Sequence, residues 1–297
     1  MKILVTGREG QLVRSLIERV SGNPEFEIVA LGRPELDLER PATLAASVRA
    51  VAPDVLINAA AYTAVDQAED EPERAHVVNA EAPAALAAAA RACGARFVHV
   101  STDYVFDGRA ERPYREDDPI APLGVYGRTK AEGEARVRSD SPDHLIIRTA
   151  WVYSPFGRNF VRTMMGAAAA GRDTLRVVAD QQGNPSSAHD LAEGLLAAAR
   201  ALRNRPTLAG TYHLAGTGIT SWHGFAEAIF RHCASLGLAT ARVEPIATAD
   251  WPTRAPRPAF SALDGSRFER DFGYRMPPWQ DSLPLVIDRL ARDAHVS

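Results

Sequence analysis

Met1-Lys2-Ile3-Leu4-Val5-Thr6-Gly7-Arg8-Glu9-Gly10-Gln11-Leu12-Val13 opens the chain, and its reading decides the fold. Ile3–Thr6 is a short apolar run with β-branched residues, and a stretch of helical spacing begins at Gln11. Between them, Gly7 permits a tight turn and Gly10 lets the backbone approach a ligand. A pyrophosphate can rest there against the free N–H groups of the helix start. The glycines alone are a weak signal; a strand before them and a helix after them supply the required context. Val13 stands where the usual fingerprint has its third glycine, so the helix is expected to stand slightly off the strand. A plain β-to-α turn is the alternative, and the rest of the chain must decide.

Working outward, short apolar runs recur at Glu27–Leu31, Val55–Asn58, Phe97–Ser101 and Leu145–Thr149. Helical stretches separate them at Gln11–Val20, Ala42–Val51, Glu73–Cys93 and Tyr126–Arg138. Strands this short and uniformly apolar suit a sheet covered on both faces. The alternation predicts an α/β fold, a doubly wound parallel sheet of Rossmann type. After Thr149 the rhythm loosens. Helices are expected at Asn159–Ala170, His189–Leu202 and Ser221–Leu236, and strands near Leu175–Val178 and Thr211–Leu214. Pro252, Pro256 and Pro258 make a loop that cannot be helical throughout. Short helices follow near Gly265–Phe272 and Trp279–Arg292. This reads as a dinucleotide-binding domain over 1–150 and a smaller α/β substrate domain over 151–297. Elements around 175–202 are expected to return to the first sheet.

Composition narrows the function. In 297 residues, 46% are hydrophobic and 24% charged, as in an ordinary globular protein. The formal charge of −3 gives no global field for nucleic acid. Cys93 and Cys233 lie too far apart for a metal-ligand spacing and form no disulfide framework. They read as thiols of a reducing compartment. The N-terminal apolar run is too short for a signal peptide, and no stretch approaches 18 uninterrupted apolar residues. A cytoplasmic protein without nucleic-acid or membrane partners is expected. The histidines show no paired ligand spacing, and no catalytic metal is expected.

Several positions then carry chemistry. The second strand ends at Leu31-Gly32-Arg33, where an acidic residue would favour NAD. The Arg33 guanidinium can instead pair with a 2′-phosphate, which favours NADPH over NADH; a solvated arginine is the alternative. Asp37 and Leu38 follow and can meet the adenine edge. Tyr126 and Lys130 are four residues apart at a helix start, on one face. An ammonium beside a phenol brings the hydroxyl closer to acid–base use. A structural pair is the alternative. Val100-Ser101-Thr102-Asp103-Tyr104 ends the fourth strand, at the edge where open parallel sheets bind ligands. Thr102 can donate there to a substrate oxygen. Asn58-Ala59-Ala60-Ala61-Tyr62-Thr63 ends the third strand with small residues, as close approach of a cofactor requires.

Taken with Ala64-Val65-Asp66 and Glu69, these motifs resemble the extended short-chain dehydrogenases/reductases, and within them the dTDP-4-dehydrorhamnose reductases. Thr102-Asp103-Tyr104-Val105-Phe106-Asp107-Gly108 and Arg148-Thr149-Ala150-Trp151-Val152-Tyr153 carry the resemblance most specifically. Asp180-Gln181-Gln182-Gly183-Asn184-Pro185, Tyr212-His213-Leu214 and Arg257-Pro258 extend it over nearly the whole chain. The resemblance implies NADPH-dependent reduction of the C4 keto group of a 4-keto-6-deoxy sugar on dTDP, with NADH as the other cofactor to consider. It implies Tyr126 as proton donor, Lys130 as its partner on the nicotinamide ribose, and Thr102 beside the reacting carbonyl. Asp103, Tyr104, Trp151, Thr63, Val65 and Arg257 would meet the sugar nucleotide. Gly7, Gly10, Gln11, Leu12, Arg33, Asp37, Leu38, Ala60, Ala61, Tyr62, Thr63 and Val100 would border the dinucleotide. Trp151 as domain-junction core, Asp103 as a turn cap and Arg257 as a solvated loop residue remain the plainer readings. Asn79 suits either catalytic support or a helix hydrogen bond.

Two departures stand out: Val13, and the absence of an early acid in Val13-Arg14-Ser15-Leu16. The family's magnesium-bridged dimer places a glutamate there, so a monomer or a dimer without bridging metal is expected. A dehydratase or epimerase is a second reading, although the resembling dehydratases carry Glu where Tyr104 stands. A non-catalytic regulatory subunit is a third, opposed by the presence of Thr102, Tyr126 and Lys130 together.

Overall fold

The computed structural model describes residues 1–141, 143–205 and 208–296. Strands β1 (Lys2–Thr6), β2 (Glu27–Leu31), β3 (Val55–Asn58), β4 (Arg96–Thr102) and β5 (Leu145–Thr149) follow one another into a sheet. β6 (Thr174–Val178) leaves it, β7 (Gly210–His213) rejoins it beside β5, and β8 (Arg242–Ile246) pairs in parallel with β6. The large sheet has the order β7-β5-β4-β3-β1-β2, with parallel neighbours throughout. Its connections turn in opposite directions on either side of β1 and β3, and ligands collect at such a switch point, beyond the strands' carboxyl ends.

The helices are α1 (Gln11–Val20), α2 (Pro41–Val51), α3 (Val65–Ala68), α4 (Pro72–His76), α5 (Ala82–Ala92), α6 (Val125–Asp140), α7 (Phe160–Ala169), α8 (Ala188–Asn204), α9 (Trp222–Ser235), α10 (Ser266–Phe272) and α11 (Trp279–Val296). Alternation along each strand builds two cores. Ile3, Val5, Val55, Ile57, Leu145 and Ile147 face Leu12 and Leu16 of α1 and Leu191 and Leu195 of α8. Leu4, Leu56 and Ile146 face Leu44 and Val48 of α2, Leu86 of α5 and Val137 of α6. Period-two burial on both faces is what a covered parallel sheet demands. A third core joins Met164 of α7, Phe225 and Ile229 of α9, and Ile287 of α11. Within 175–202, α8 therefore packs over the large sheet, whereas β6 belongs to a separate two-stranded sheet. Cys233 is buried and Cys93 half-buried, both free.

The 73–93 stretch departs from the single helix expected. A π-helical turn, Val77–Glu81, interrupts it between α4 and α5. The extra residue per turn turns the fully buried Asn79 toward the loop after β3. Its Oδ1 accepts from Tyr62 N at 2.9 Å, and its Nδ2 donates to Tyr62 O and Thr129 Oγ1, both at 3.2 Å. Asn79 thus ties the Ala61–Tyr62 loop to α6.

Helix α6 lies close against its neighbours. A Cβ on Gly127 would stand 2.2 Å from Tyr104 O, and one on Gly133 would stand 2.1 Å from Asn79 O. The helix has no cap from its own N-cap residue, Gly124; Glu69, just after α3, supplies one, its Oε1 accepting from Val125 N at 2.7 Å.

Candidate active site

A cleft of about 780 Å³ runs along the carboxyl ends of β1, β3, β4 and β5. Gly7, Gly10, Gln11 and Leu12 line one end, and Thr102, Asp103, Tyr104, Tyr126, Lys130 and Trp151 the other, with Ala60, Ala61, Thr63, Val65 and Val100 between. A second cleft of about 430 Å³ adjoins it over Gly7, Ala60 and Ala61. Arg33, Asp37, Leu38 and Tyr62 line this one. Every residue expected at the dinucleotide or the sugar nucleotide therefore borders one of two joined clefts, with the exception of Arg257. That guanidinium donates to Asp66 Oδ2 at 2.7 Å and holds the 252–258 loop against α3.

The glycine turn keeps an anion site open. Gly7 has φ of +99°, a left-handed value that favours glycine. Gly10 precedes α1 without a side-chain cap, and no acidic residue occupies the first turn. The helix start thus presents unbonded N–H groups and a positive dipole end to the cleft. Val13 is buried, and its Cγ2 fills the space a side chain on Gly7 would need. Contact between helix and turn is made here by a valine methyl. The amide of Gln11 faces across the cleft, where its Oε1 accepts from Ser154 Oγ at 2.8 Å and Asn159 Nδ2 at 3.0 Å.

In the adjoining cleft three guanidiniums gather. Arg8 pairs with Glu35 at 2.7 Å, Arg74 with Glu39 at 2.7 Å, and Arg33, largely exposed, with Glu39 at 3.7 Å. Arg8 and Arg74 were not legible as partners of Arg33, since nothing in their spacing links two separate loops and a helix.

At the other end, burial sets the proton affinities. It raises the Tyr126 hydroxyl to about 12, against the opposing influence of Thr102 as a hydrogen-bond partner. It lowers Lys130 to about 8, with the Glu134 carboxylate one turn on pulling the other way. Lys130 Nζ donates to Val100 O at 2.7 Å and lies 3.4 Å from His99 Nε2. Thr102 Oγ1 donates to Asp103 Oδ1 at 2.9 Å and accepts from Tyr104 N at 3.2 Å. Burial raises Asp103 to about 6, against the nearby Ser261 and Thr102 hydroxyls, and its Oδ2 makes no well-aligned hydrogen bond among the described residues. The buried Thr149 Oγ1, on the same cleft wall, has none either. Orphaned polar atoms on a cleft wall await a polar ligand. The Tyr104 ring meets Tyr126 edge-on at 5.4 Å.

Trp151 holds a left-handed φ of +46°. Its ring stacks on Trp222, with centroids 3.5 Å apart and planes within 3°, and its Nε1 donates to Ser261 Oγ at 3.2 Å. Behind the strand end, Glu134 accepts from Arg148 Nε at 2.9 Å, Arg148 Nη2 at 2.7 Å and Ser101 Oγ at 2.6 Å, fully buried. Trp222 and Ser261 carry no local motif, and distant segments bring them to the site; Glu134 shares α6 with Lys130, but its partner Arg148 comes from β5. Among the described residues, no group of three or more His, Cys, Asp or Glu is placed to hold a metal ion. No described helix is long and apolar enough to cross a membrane.

A parallel sheet with a glycine turn at its switch point, and Tyr126 and the buried Lys130 on one helix face at its carboxyl edge, define the short-chain dehydrogenase/reductase class. Residues 1–292 match the family model of the RmlD substrate binding domain, and the chain belongs to that family. It is 44% identical, over 97% of each chain, to a dTDP-4-dehydrorhamnose reductase of Sinorhizobium fredii. The crystal structure of a dTDP-4-dehydrorhamnose reductase from Clostridium acetobutylicum matches with a TM-score of 0.90 at 39% identity, covering 98% of this chain and 100% of that one. A Bacillus anthracis dTDP-4-dehydrorhamnose reductase, solved in complex with NADP, matches with a TM-score of 0.89 at 34% identity, covering 97% and 99%.

Proposed function

We propose that the protein reduces the C4 keto group of dTDP-4-dehydro-6-deoxy-L-mannose to give dTDP-L-rhamnose, using NADPH. One observation carries the reading: a single cleft joins an uncapped, glycine-bordered helix start to the half-buried Tyr126 and the buried Lys130, beside two orphaned polar atoms. Those features fit a dinucleotide whose diphosphate lies at α1 and whose nicotinamide end lies at Lys130. When bound, the reduced nicotinamide supplies a hydride to the sugar carbonyl. The adenosine end would take the adjoining cleft, with its 2′-phosphate near Arg33, Arg8 and Arg74. Three guanidiniums there favour NADPH over NADH.

The chain's own residues do the rest. With its affinity near 12, Tyr126 stays protonated at neutral pH and can donate to the oxygen as negative charge develops on it. Lys130 holds the ribose beside it, and Thr102 hydrogen-bonds near the same oxygen. Asp103, Thr63 and Val65 line the sugar end, Tyr104 closes it against Tyr126, and Trp151 covers the sugar with its open face. Arg257 reaches the nucleotide phosphates only after releasing Asp66. On this reading, 1–150 together with α8 and β7 forms the dinucleotide unit. The remainder of 151–297 forms the sugar-nucleotide unit. A cytoplasmic monomer, or a homodimer with no bridging metal, completes the reading.

The test is turnover with dTDP-4-dehydro-6-deoxy-L-mannose and NADPH, followed by absorbance at the reduced nicotinamide and by product stereochemistry. Oxidation of the cofactor with formation of the L-rhamno product supports the reading. Water loss or epimerisation without net cofactor oxidation would replace it with the dehydratase or epimerase alternative.

A further inference from the structure

The chain has only two lysines, Lys2 and Lys130, among 34 basic residues that are otherwise arginine. Arginine does not lose its proton in proteins, whereas a buried lysine can. At position 130 the side chain is 2% exposed and ends against a chain of buried hydrogen bonds.

That chain has a fixed direction. Thr6 Oγ1 accepts from the backbone N–H of Ala59 and of Ala60, each at 3.0 Å. Both lone pairs are occupied, so its proton points to Asn58 Oδ1 at 2.7 Å. The Asn58 amide is therefore oriented, and its Nδ2 donates to His99 Nδ1 at 3.0 Å. Thr6, Asn58 and His99 are each no more than 1% exposed, so water does not offer another arrangement. With Nδ1 as an acceptor, a neutral imidazole carries its proton on Nε2. That N–H faces Lys130 Nζ at 3.4 Å. An ammonium has only donors and would meet it donor to donor. A neutral amine accepts from Nε2–H and still donates to Val100 O.

We infer that Thr6, Asn58 and His99 lock one imidazole tautomer and thereby select the neutral amine of Lys130 in the unliganded cleft. Asn58 and His99 are positioning residues: they act on the lysine and do not touch the reacting atoms. The other charged groups around α6 do not reverse this. Glu134, one turn beyond Lys130, favours the ammonium, but its charge is matched by the buried Arg148 and by Arg138. Glu69, just after α3, meets α6 at Val125, His76 of α4 meets it at Glu132, and Arg91 of α5 reaches Asp140 O, all away from Nζ. Asp103, on the turn after β4, is itself raised to about 6 by burial and bonded to Thr102. A neutral lysine leaves Tyr126 in its protonated, donating form. The inference deepens the role given to Lys130 above and rests on that reading only for its catalytic meaning.

Two lysines make the measurement direct. Protein labelled with ¹³Cε,¹⁵Nζ-lysine gives two signals, and Lys2→Arg assigns them. The Lys130 signal is expected to titrate below about 8, the value that burial, opposed by the Glu134 charge, already gives. The ¹⁵N spectrum of His99 is expected to show protonated Nε2 and bare Nδ1. In Asn58→Asp the new carboxylate can only accept, so Nδ1 takes the proton and Nε2 turns acceptor. The Lys130 midpoint should then rise by one pH unit or more, a tenfold gain in proton affinity. A midpoint at or above 8 in the parent protein, an Nδ1–H tautomer, or a folded Asn58→Asp variant with an unmoved midpoint would each overturn the inference. The first two need no variant to fold. None depends on turnover, so failure here and failure of the proposed reduction are separately visible.

Discussion

At the residue scale, the proposal asks most of one hydroxyl. Tyr126→Phe keeps the ring and its edge contact with Tyr104 while removing the donor. Turnover should fall by roughly 10²–10⁴-fold, the range for a lost general acid. Cofactor affinity, followed by fluorescence titration, should hardly change; full kcat in this variant would remove Tyr126 from the chemistry. Arg33 makes a weaker, more exposed contribution. Arg33→Ala should weaken NADPH by about tenfold, the loss of one charge-assisted contact, and leave NADH untouched. An equal effect on both cofactors would place Arg33 in solvent and leave the 2′-phosphate to Arg8 and Arg74. Tyr126, Lys130 and Arg33 were legible in the sequence because each belongs to a local spacing: a helical i, i+4 pair, or a residue just after a strand. His99 sits in the Phe97–Ser101 strand run, and its spacing there carries no further signal. Its meaning depends on what Asn58 and Lys130 present to its two nitrogens.

At the element scale, α6 presents Tyr126 and Lys130, and its position rests on two glycines and a borrowed cap. Gly127→Ala would push a methyl into Tyr104 O, which flanks Asp103 and Thr102. Overpacking of this kind costs about 1–3 kcal/mol. Turnover should fall further than stability, because the displaced segment is the site itself; equal activity with an unshifted melting temperature would show that the helix has room. Glu134, on the same helix, is held below its usual carboxylate range. Burial alone would raise it, but the Arg148 pair and the Ser101 hydroxyl outweigh burial. A depressed carboxylate stabilises the fold fully above its unfolded pKa of about 4.5. That stability is lost as pH falls through the lower folded value. Glu134→Gln should therefore cost about 3–5 kcal/mol at pH 7, as for other broken buried pairs. It should also flatten the stability–pH curve on the acid side, which chemical denaturation between pH 3 and 7 would record. The arrangement α6 requires was half legible. Helical spacing announced the helix, but the π-helical turn that meets it at Gly133 has no distinct periodicity.

At the scale of the whole molecule, the stacked indoles of Trp151 and Trp222 join the strand-end loop after β5 to the start of α9. Their contact covers one face of Trp151, which also lines the cleft. Trp151→Ala should raise KM for the sugar nucleotide while NADPH affinity stays near that of the parent protein. A plain core tryptophan would behave otherwise: truncation would cost about 3–5 kcal/mol, with a marked fall in Tm and an unchanged KM in the folded fraction. Trp222→Ala offers the matching control. It leaves Trp151 in place but removes its backing, so it should reproduce part of the KM effect, and Trp222→Phe should restore it.

The sequence by itself determined the alternation of strand and helix, the parallel sheet, and the glycine turn that opens it. It also determined that Tyr126 and Lys130 stand on one face of a helix, because each of these is written in periodicity or spacing over a few residues. Tertiary structure alone decided the rest. It sent β6 to a second sheet while α8 and β7 went back to the first. It engaged Arg257 with Asp66, where the guanidinium charge still reaches Tyr104 at the cleft. It brought Arg8, Arg33 and Arg74 around one cleft. It also turned Thr6, Asn58 and His99 into one directed chain of hydrogen bonds ending at Lys130. The physical reason is the same in each case. Local patterns fix which backbone hydrogen bonds a segment can make. Burial, charge pairing and proton direction depend on groups dozens of residues apart, and only the packed fold brings them within reach.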